Sequence, residues 1–207
     1  MKNNVDLPNF LIEKKLLDKN YKTIAGIDEV GRGTLAGPVF ACAAILPCEV
    51  PTGKKNLIND SKKLSAKKRI ESYEWLKDWC IDYAIGSSSA EEIDLHGIVY
   101  SVKQAMIRAV NNLSVKPDHL IIDALKLEKL NIDQTSITKA DEKSESVASA
   151  SILAKVSRDN LMIKLHEKYS DYDFISNKGY GTKNHLLALK KNGPCKIHRK
   201  TFAGVND

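Results

Sequence analysis

Hydrophobic and polar positions change their period several times along this 207-residue chain. Residues 8–19 set Phe10, Leu11 and Leu17 among Lys14 and Lys15, which predicts a short amphipathic helix after a proline. Residues 21–28 form a short apolar run interrupted by glycine and read as a buried strand. A second apolar run over 36–46 follows a short turn, so it is expected to pair antiparallel with the first. DSKKL (60–64) reads as a loop. Ser65 then supplies an N-cap for a helix reaching about Trp79, with Ile70, Tyr73, Leu76 and Trp79 at helical spacing. The aromatic members of that stripe are expected in the core rather than as a platform for stacked bases. Residues 80–87 alternate like a third strand, and Ser89 opens a helical turn. Ile98, Val102, Ala105, Met106, Ala109 and Leu113 form one stripe of a long helix over 97–113, which Lys116-Pro117-Asp118 breaks. HLIID (119–123) reads as a fourth strand and 134–139 as a weaker fifth. Residues 144–168 make a helix rich in alanine and serine, able to lie close on a sheet, and a last helix is expected at about 183–191.

This order predicts the α/β class: a mixed β-sheet flanked by helices, with a small C-terminal helical appendage. Three segments are expected: an N-terminal extension over 1–20, a core over 21–170 and a basic appendage over 171–207.

Composition narrows the class. Hydrophobic residues make up 43% and charged residues 28%, as in globular proteins. The longest apolar run, 39–46, is strand-sized, and the first residues have no signal-peptide pattern, so no membrane span and a cytoplasmic location are expected. Cys42, Cys48, Cys80 and Cys195 are scattered, which suggests reduced thiols rather than a zinc site or disulfide framework. The net charge of +6 is concentrated at the end. Residues 174–206 contain no Asp or Glu but carry Lys178, Lys183, Lys190, Lys191, Lys196, Arg199 and Lys200. A folded basic segment of that kind suits a polyanion, most commonly nucleic acid.

Acids at strand ends carry the chemistry. Asp28-Glu29 closes the first strand and runs into Gly31-Arg32-Gly33; Asp123 closes the fourth. Carboxylates at the dry end of a sheet need compensation, and a hard divalent cation supplies it. If these strands are neighbours, three carboxylates converge at one sheet edge, where ligand crevices are common. Magnesium binds through a few carboxylates plus phosphate oxygens, and two such ions about 3.5–4 Å apart can serve phosphodiester hydrolysis. Arg32 between glycines suits a phosphate approached closely by backbone. The residues alone leave a fourth acid open among Asp141, Glu142 and Glu145; Asp159 is expected to pair with a neighbouring base. Gly31, Gly33 and Gly37 do not make a dinucleotide loop, because a strand follows where a helix is needed. No Walker lysine or nucleophile elbow is present, and His96, His166 and His185 are not spaced as ligands.

Six motifs in order resemble the type 2 ribonuclease H family, ribonuclease HII. They are GIDEVGRG (26–33) with AGP (36–38), DSKKLSAKKR (60–69), IIDAL (121–125), KADEKSESVASASILAKVSRD (139–159), GYGTKNH (179–185) and HRKTF (198–202). The resemblance covers about residues 22–202. One departure is Ala124-Leu125, where the family often has glycine after the acid.

The resemblance implies a ribonuclease H-like fold and an endonuclease that cuts the RNA strand of RNA–DNA hybrids. It also implies cutting 5′ of single ribonucleotides embedded in duplex DNA, leaving a 3′-hydroxyl and a 5′-phosphate, with magnesium or manganese. By resemblance, Asp28, Glu29, Asp123 and Asp141 hold the metal. Gly31, Arg32 and Gly33 sense the ribose 2′-hydroxyl, Tyr180 stacks on the following sugar, and Ser61 and Lys62 hold phosphates. His198, Arg199 and Lys200 support a track for the nucleic-acid backbone, and a monomer is expected. Two other readings remain to be weighed. A non-catalytic nucleic-acid-binding module leaves the acids unexplained, and a junction-resolving nuclease of the same fold needs neither the Gly-Arg-Gly turn nor Tyr180.

Overall fold

In a computed structural model of the chain, residues 7–206 are described, so the first six residues of the expected extension lie outside them. One five-stranded sheet organises the molecule, in the order β3-β2-β1-β4-β5. The strands are β1 (Ile24–Val30), β2 (Val39–Ile45), β3 (Asp82–Ser88), β4 (His119–Asp123) and β5 (Asp133–Ile137). β1 pairs antiparallel with β2 and parallel with β4, and β4 pairs parallel with β5, so the sheet is mixed. β1 is central and covered on both faces, which explains why its apolar residues show no polar alternation before Asp28. β2 begins later than the expected residue 36. Pro38 has no amide to give a ladder, and Gly37 turns the chain at φ 83°.

Helices cover both faces. α4 (Ile98–Asn111), joined through Gly97 to α3 (Ala90–His96), lies on one face with Val102, Ala105, Met106 and Ala109 against Ala25, Ile27 and Leu120. α5 (Glu145–Lys168) lies on the other with α2 (Ala66–Trp79); Ala148, Ile152 and Leu76 pack on Cys42 and Ala44. The small residues of α5 allow very close approach. A Cβ on Gly26 would stand 2.3 Å from the carbonyl carbon of Ser146, so only glycine fits under the start of the helix. Of the expected stripe of α2, Leu76, Tyr73 and Trp79 pack on the α2–α5 core and Ile70 is exposed; Trp75 joins them, stacked on Trp79 at 4.7 Å.

α1 (Leu11–Leu17) is shorter than expected and turned the other way. Leu11 and Leu17 are exposed, and Leu16 and Glu13 are buried. The buried face therefore carries Glu13 with Ile12 and Leu16 instead of the expected Leu11 and Leu17, because Glu13 makes contact with α5.

The chain after Tyr169 adds short turns, α6 (Phe174–Asn177) and α7 (Lys183–Asn192). Tyr172, Phe174, Leu189 and Val205 build a satellite core with Leu35, Ala36 and Met162. Among the described residues, no helix is long and apolar enough to cross a membrane.

Candidate active site

Register brings the acids together. Ile27 faces Ile122 across the parallel β1–β4 pair, so Asp28 and Asp123 follow at matching strand ends. Side chains two apart share a sheet face, and Gly26 touches α5; Asp28 therefore stands on the α5 side and lines a cleft with Ser151. Asp28 is only 7% exposed. Burial pushes its carboxyl well above the usual range, and the Glu29 and Asp141 charges add to this. Glu29 is raised too, by burial and by Asp123, against the pull of Arg32, whose guanidinium lies 3.6 Å away.

Asp141 sits on a 3-10 turn, Ala140–Glu142, docked on β4 by the Ala140 amide donating to Asp123 Oδ1 at 3.2 Å. Burial and the Asp60 charge raise its carboxyl, Lys62 opposes them, and Asp123 adds to the rise. The two competing acids are engaged elsewhere. Glu142 pairs with Lys63 at 3.1 Å, and buried Glu145 accepts from the Val50 amide and pairs with Lys55.

Asp28, Glu29 and Asp141 are raised in part by neighbouring carboxylates, and a divalent cation would relieve that repulsion. Among the described residues no three His, Cys, Asp or Glu side chains already form a metal cage.

Beside the acids runs a cleft of about 280 Å³, lined by Asp28, Glu29, Gly31-Arg32-Gly33, Ser61, Lys62, Ser151, Lys155 and Tyr180. Gly31 holds φ 85°, and a Cβ there would meet Arg158 Nε at 2.2 Å, so both backbone and space require glycine. The Gly31 and Arg32 carbonyls turn inward and accept from Arg199 at 2.6 and 2.9 Å. Among the described residues, no internal hydrogen bond uses the Arg32 or Gly33 amide. Tyr180 is 40% exposed, with Lys155 Nζ 5.4 Å from its ring centroid. Ser61 Oγ lies 3.0 Å from Ser151 Oγ, joining the DSKKL loop to α5.

Residues 25–205 match the sequence model of the family described as Ribonuclease HII. The chain belongs to the ribonuclease HII family. It is 51% identical over 195 residues to the ribonuclease HII of Desulfitobacterium hafniense strain DSM 10664 / DCB-2, covering 93% of this chain and 73% of that protein. Identity to the ribonuclease HII of Caldanaerobacter subterraneus subsp. tengcongensis is 47% over 190 residues, covering 92% and 78%. The structure is similar to ribonuclease H2 from Pyrococcus horikoshii OT3, with TM-score 0.73, 27% identity, and 89% of this chain and 95% of that one covered. It is also similar to ribonuclease HII in its complex with PCNA from Archaeoglobus fulgidus, with TM-score 0.69, 29% identity, and coverage of 82% and 88%. As a ribonuclease HII, the protein is an endonuclease that hydrolyses the RNA strand of RNA–DNA hybrids, and the family depends on divalent metal.

Within this ribonuclease HII, the C-terminal basic motif is divided between interior and surface. His198 and Arg199 are buried, and only Lys200 of the three is exposed. Arg199 works from beneath the Gly-Arg-Gly turn. His198 closes a chain of hydrogen bonds: the Cys195 amide donates to its Nδ1 at 2.9 Å, its Nε2 meets His185 Nε2 at 2.9 Å, and His185 Nδ1 reaches the Tyr180 carbonyl at 2.9 Å. Donors and acceptors fit when both rings are neutral, His198 carrying its proton on Nε2 and His185 on Nδ1. A basic motif in sequence cannot distinguish a buried cation or ring from a surface one. Ser151 and Lys155 also line the cleft, which helical periodicity alone does not show. Their spacing, with Asp159 four residues on, puts them along one helical stripe, and Asp159 pairs with Lys155 at 2.9 Å. Ala124 follows the Asp123 acid at φ 51°, a conformation glycine adopts without strain.

The histidine chain predicts a pH dependence of stability. Burial and the neighbouring His185 push His198 down to about 4, and burial lowers His185 as well. The unfolded rings take up protons near pH ~6.5, where the folded ones do not. Their contribution is therefore complete above that pH and is lost as pH falls toward about 4. Replacing His198 with Gln, which can still accept and donate, is expected to flatten the fall in melting temperature over this window. Thermal unfolding of both proteins between the two pH limits checks it; equal slopes would refute it.

Proposed function

We propose that this ribonuclease HII cuts on the 5′ side of ribonucleotides, including a single ribonucleotide within duplex DNA, leaving a 3′-hydroxyl and a 5′-phosphate. One observation carries the reading: the Asp28-Glu29 carboxylates, the Gly31-Arg32-Gly33 turn and Tyr180 line one cleft. Asp28, Glu29, Asp123 and Asp141 would hold magnesium or manganese. When bound, the cation supplies neutralisation of charge at the scissile phosphate and favours deprotonation of the attacking water.

The chain's own groups do the recognition. The Arg32 and Gly33 amides face a substrate rather than an internal acceptor, and the ribose 2′-hydroxyl is what separates RNA from DNA at a site. Arg199 fixes the carbonyl side of the same peptides, which directs their amides outward. The half-exposed Tyr180 ring offers a face for the next sugar, and Lys62 and Lys155 place positive charge where phosphates would lie.

The test is cleavage of a DNA duplex holding one ribonucleotide, beside an all-DNA duplex, with magnesium, manganese or chelator. Metal-dependent cutting 5′ of the ribonucleotide alone is expected. Equal cutting of both duplexes would remove the 2′-hydroxyl reading.

Lys190 and Lys191 are exposed on the last turn of α7. Replacing both with Ala is expected to weaken hybrid binding for all sequences and to flatten the log affinity against log salt plot by about one to two units. Fluorescence anisotropy in chelator, where cleavage is suppressed, measures this. An unchanged slope would take α7 off the phosphate track.

A further inference from the structure

The N-terminal helix lies ahead of the matched family region, and nothing in the nucleolytic reading uses it. Its most buried charged group is Glu13, 1% exposed. Glu13 Oε1 accepts from Ser144 Oγ at 2.5 Å, Ser146 Oγ at 2.7 Å and the Ser146 amide at 3.0 Å. These groups open α5, where free amides and the helix dipole favour an anion. Beside it the chain forms a short bridge: the Asn9 amide donates to the Lys143 carbonyl at 3.3 Å, and the Glu145 amide to the Asn9 carbonyl at 3.2 Å.

What α1 grips is the segment that carries Asp141. The Lys143 and Ser144 amides donate back to the Ala140 carbonyl at 3.0 and 2.9 Å, closing the turn around Asp141. Ala140 itself is buried with Leu16, Ile24, Ile121 and Val147. The turn is thus held on one side by Asp123 and on the other by α1. Lys139, at its start, takes φ 56°, a conformation that costs a non-glycine residue free energy and persists only when the surroundings impose it.

We propose that Glu13 is a positioning residue for the metal site, holding the Asp141 turn in place through Ser144 and Ser146. The inference rests on the reading of Asp141 as a metal ligand. It gives α1 a part in the reaction although none of its residues lines the cleft. It also explains why the helix buries its glutamate and exposes Leu11 and Leu17.

The experiment uses the full chain as wild type, Glu13→Ala, Glu13→Gln and Asp141→Asn. Two quantities are measured below the melting temperature of every variant: amide hydrogen exchange without metal, and binding of Mn²⁺ alone, read from the free ion by electron paramagnetic resonance. Glu13→Ala is expected to lose protection over 140–147 while α2 keeps its own. It is also expected to bind Mn²⁺ about tenfold more weakly, with Glu13→Gln in between, as for loss of a group that orients a ligand. Wild-type exchange and Mn²⁺ binding in Glu13→Ala, with weakened binding in Asp141→Asn, would overturn the role of Glu13 and leave Asp141 a ligand. Unchanged Mn²⁺ binding in Asp141→Asn would instead overturn the ligand reading beneath it. If Glu13→Ala does not fold, Glu13→Gln decides: a weakening of about threefold is expected, and wild-type values overturn the proposal.

Discussion

Asp28→Asn is expected to abolish cleavage while leaving hybrid binding intact. The substitution keeps the shape of the side chain and its place beside Ser151 in the cleft, and removes only the charge. If the carboxylate holds a cation at the scissile phosphate, its loss forfeits several kcal/mol of transition-state stabilisation, so a fall of about 10³-fold or more is expected. Binding in chelator should be equal or tighter, because one negative charge leaves a cleft that receives phosphates. The metal-free protein should not be less stable. Burial disfavours the ionised Asp28 carboxyl in the fold, so an uncharged amide spares the folded state that cost at neutral pH. Added Mn²⁺ should then raise the melting temperature of the wild type more than that of the variant. Single-turnover cleavage, anisotropy and thermal unfolding with and without metal measure these in turn. Wild-type activity in Asp28→Asn would remove the carboxylate from the mechanism, and a melting temperature several degrees lower in chelator would make its charge structural.

The parts of this protein legible in the sequence are those where a local pattern has one inexpensive explanation. Acids ending apolar runs at Asp28-Glu29 and Asp123 pointed to a sheet edge needing positive charge, and the β1–β4 pairing puts those strands side by side. The alanine- and serine-rich stretch announced a helix pressed on the sheet, and α5 lies against Gly26. What stayed hidden depends on partners far away in the chain. Glu13 meets Ser144 and Ser146, more than a hundred residues on, so helical periodicity alone turned α1 the wrong way. Among Asp141, Glu142 and Glu145, local sequence offers three similar acids. They are separated by Lys63 and Lys55, which draw off two of them. At the C-terminus a tally of lysines and arginines likewise does not say which cation faces carbonyls inside: Arg199 is buried, whereas Lys183, Lys190, Lys191, Lys196 and Lys200 are exposed.

Two such cations, Arg158 and Arg199, cross-link the turn, the Tyr180 segment and the residues that lead into β2. Arg158 donates to the Pro38, Ala36 and Lys178 carbonyls and to Thr34 Oγ1. Neither arginine forms a salt bridge within the described residues, and their charge is dispersed over backbone oxygens. Burial pushes Arg158 down to about 10 and Arg199 down to about 9, leaving both charged near neutral pH. The recognition surface is therefore shaped from the inside: buried guanidiniums fix the carbonyls, and the opposite edges of the same peptides face the cleft.

Arg199→Met tests that arrangement and is expected to be the most destabilising single change described for this protein. Methionine fills much of the volume but donates nothing, so the carbonyls of Gly31, Arg32 and Gly37 lose four hydrogen bonds together. A buried group left unsatisfied costs about 1–3 kcal/mol. With partial relaxation the total should be about 3–5 kcal/mol, or roughly 10 °C in melting temperature for a domain of this size. Lysine should not rescue it, because one ammonium cannot reproduce the planar fork that reaches three carbonyls. Activity should fall beyond what unfolding explains. At a temperature where the variant is fully folded, cleavage at a single ribonucleotide should suffer more than cleavage of a continuous hybrid. The single site depends on one reading of the 2′-hydroxyl by the Arg32 and Gly33 amides, whereas a continuous hybrid offers many registers. Lys200→Ala, whose exposed side chain touches none of these carbonyls, is the control and should keep the wild-type ratio between the two substrates. A stable Arg199→Met protein with that same ratio would show that the turn holds its shape without support from beneath.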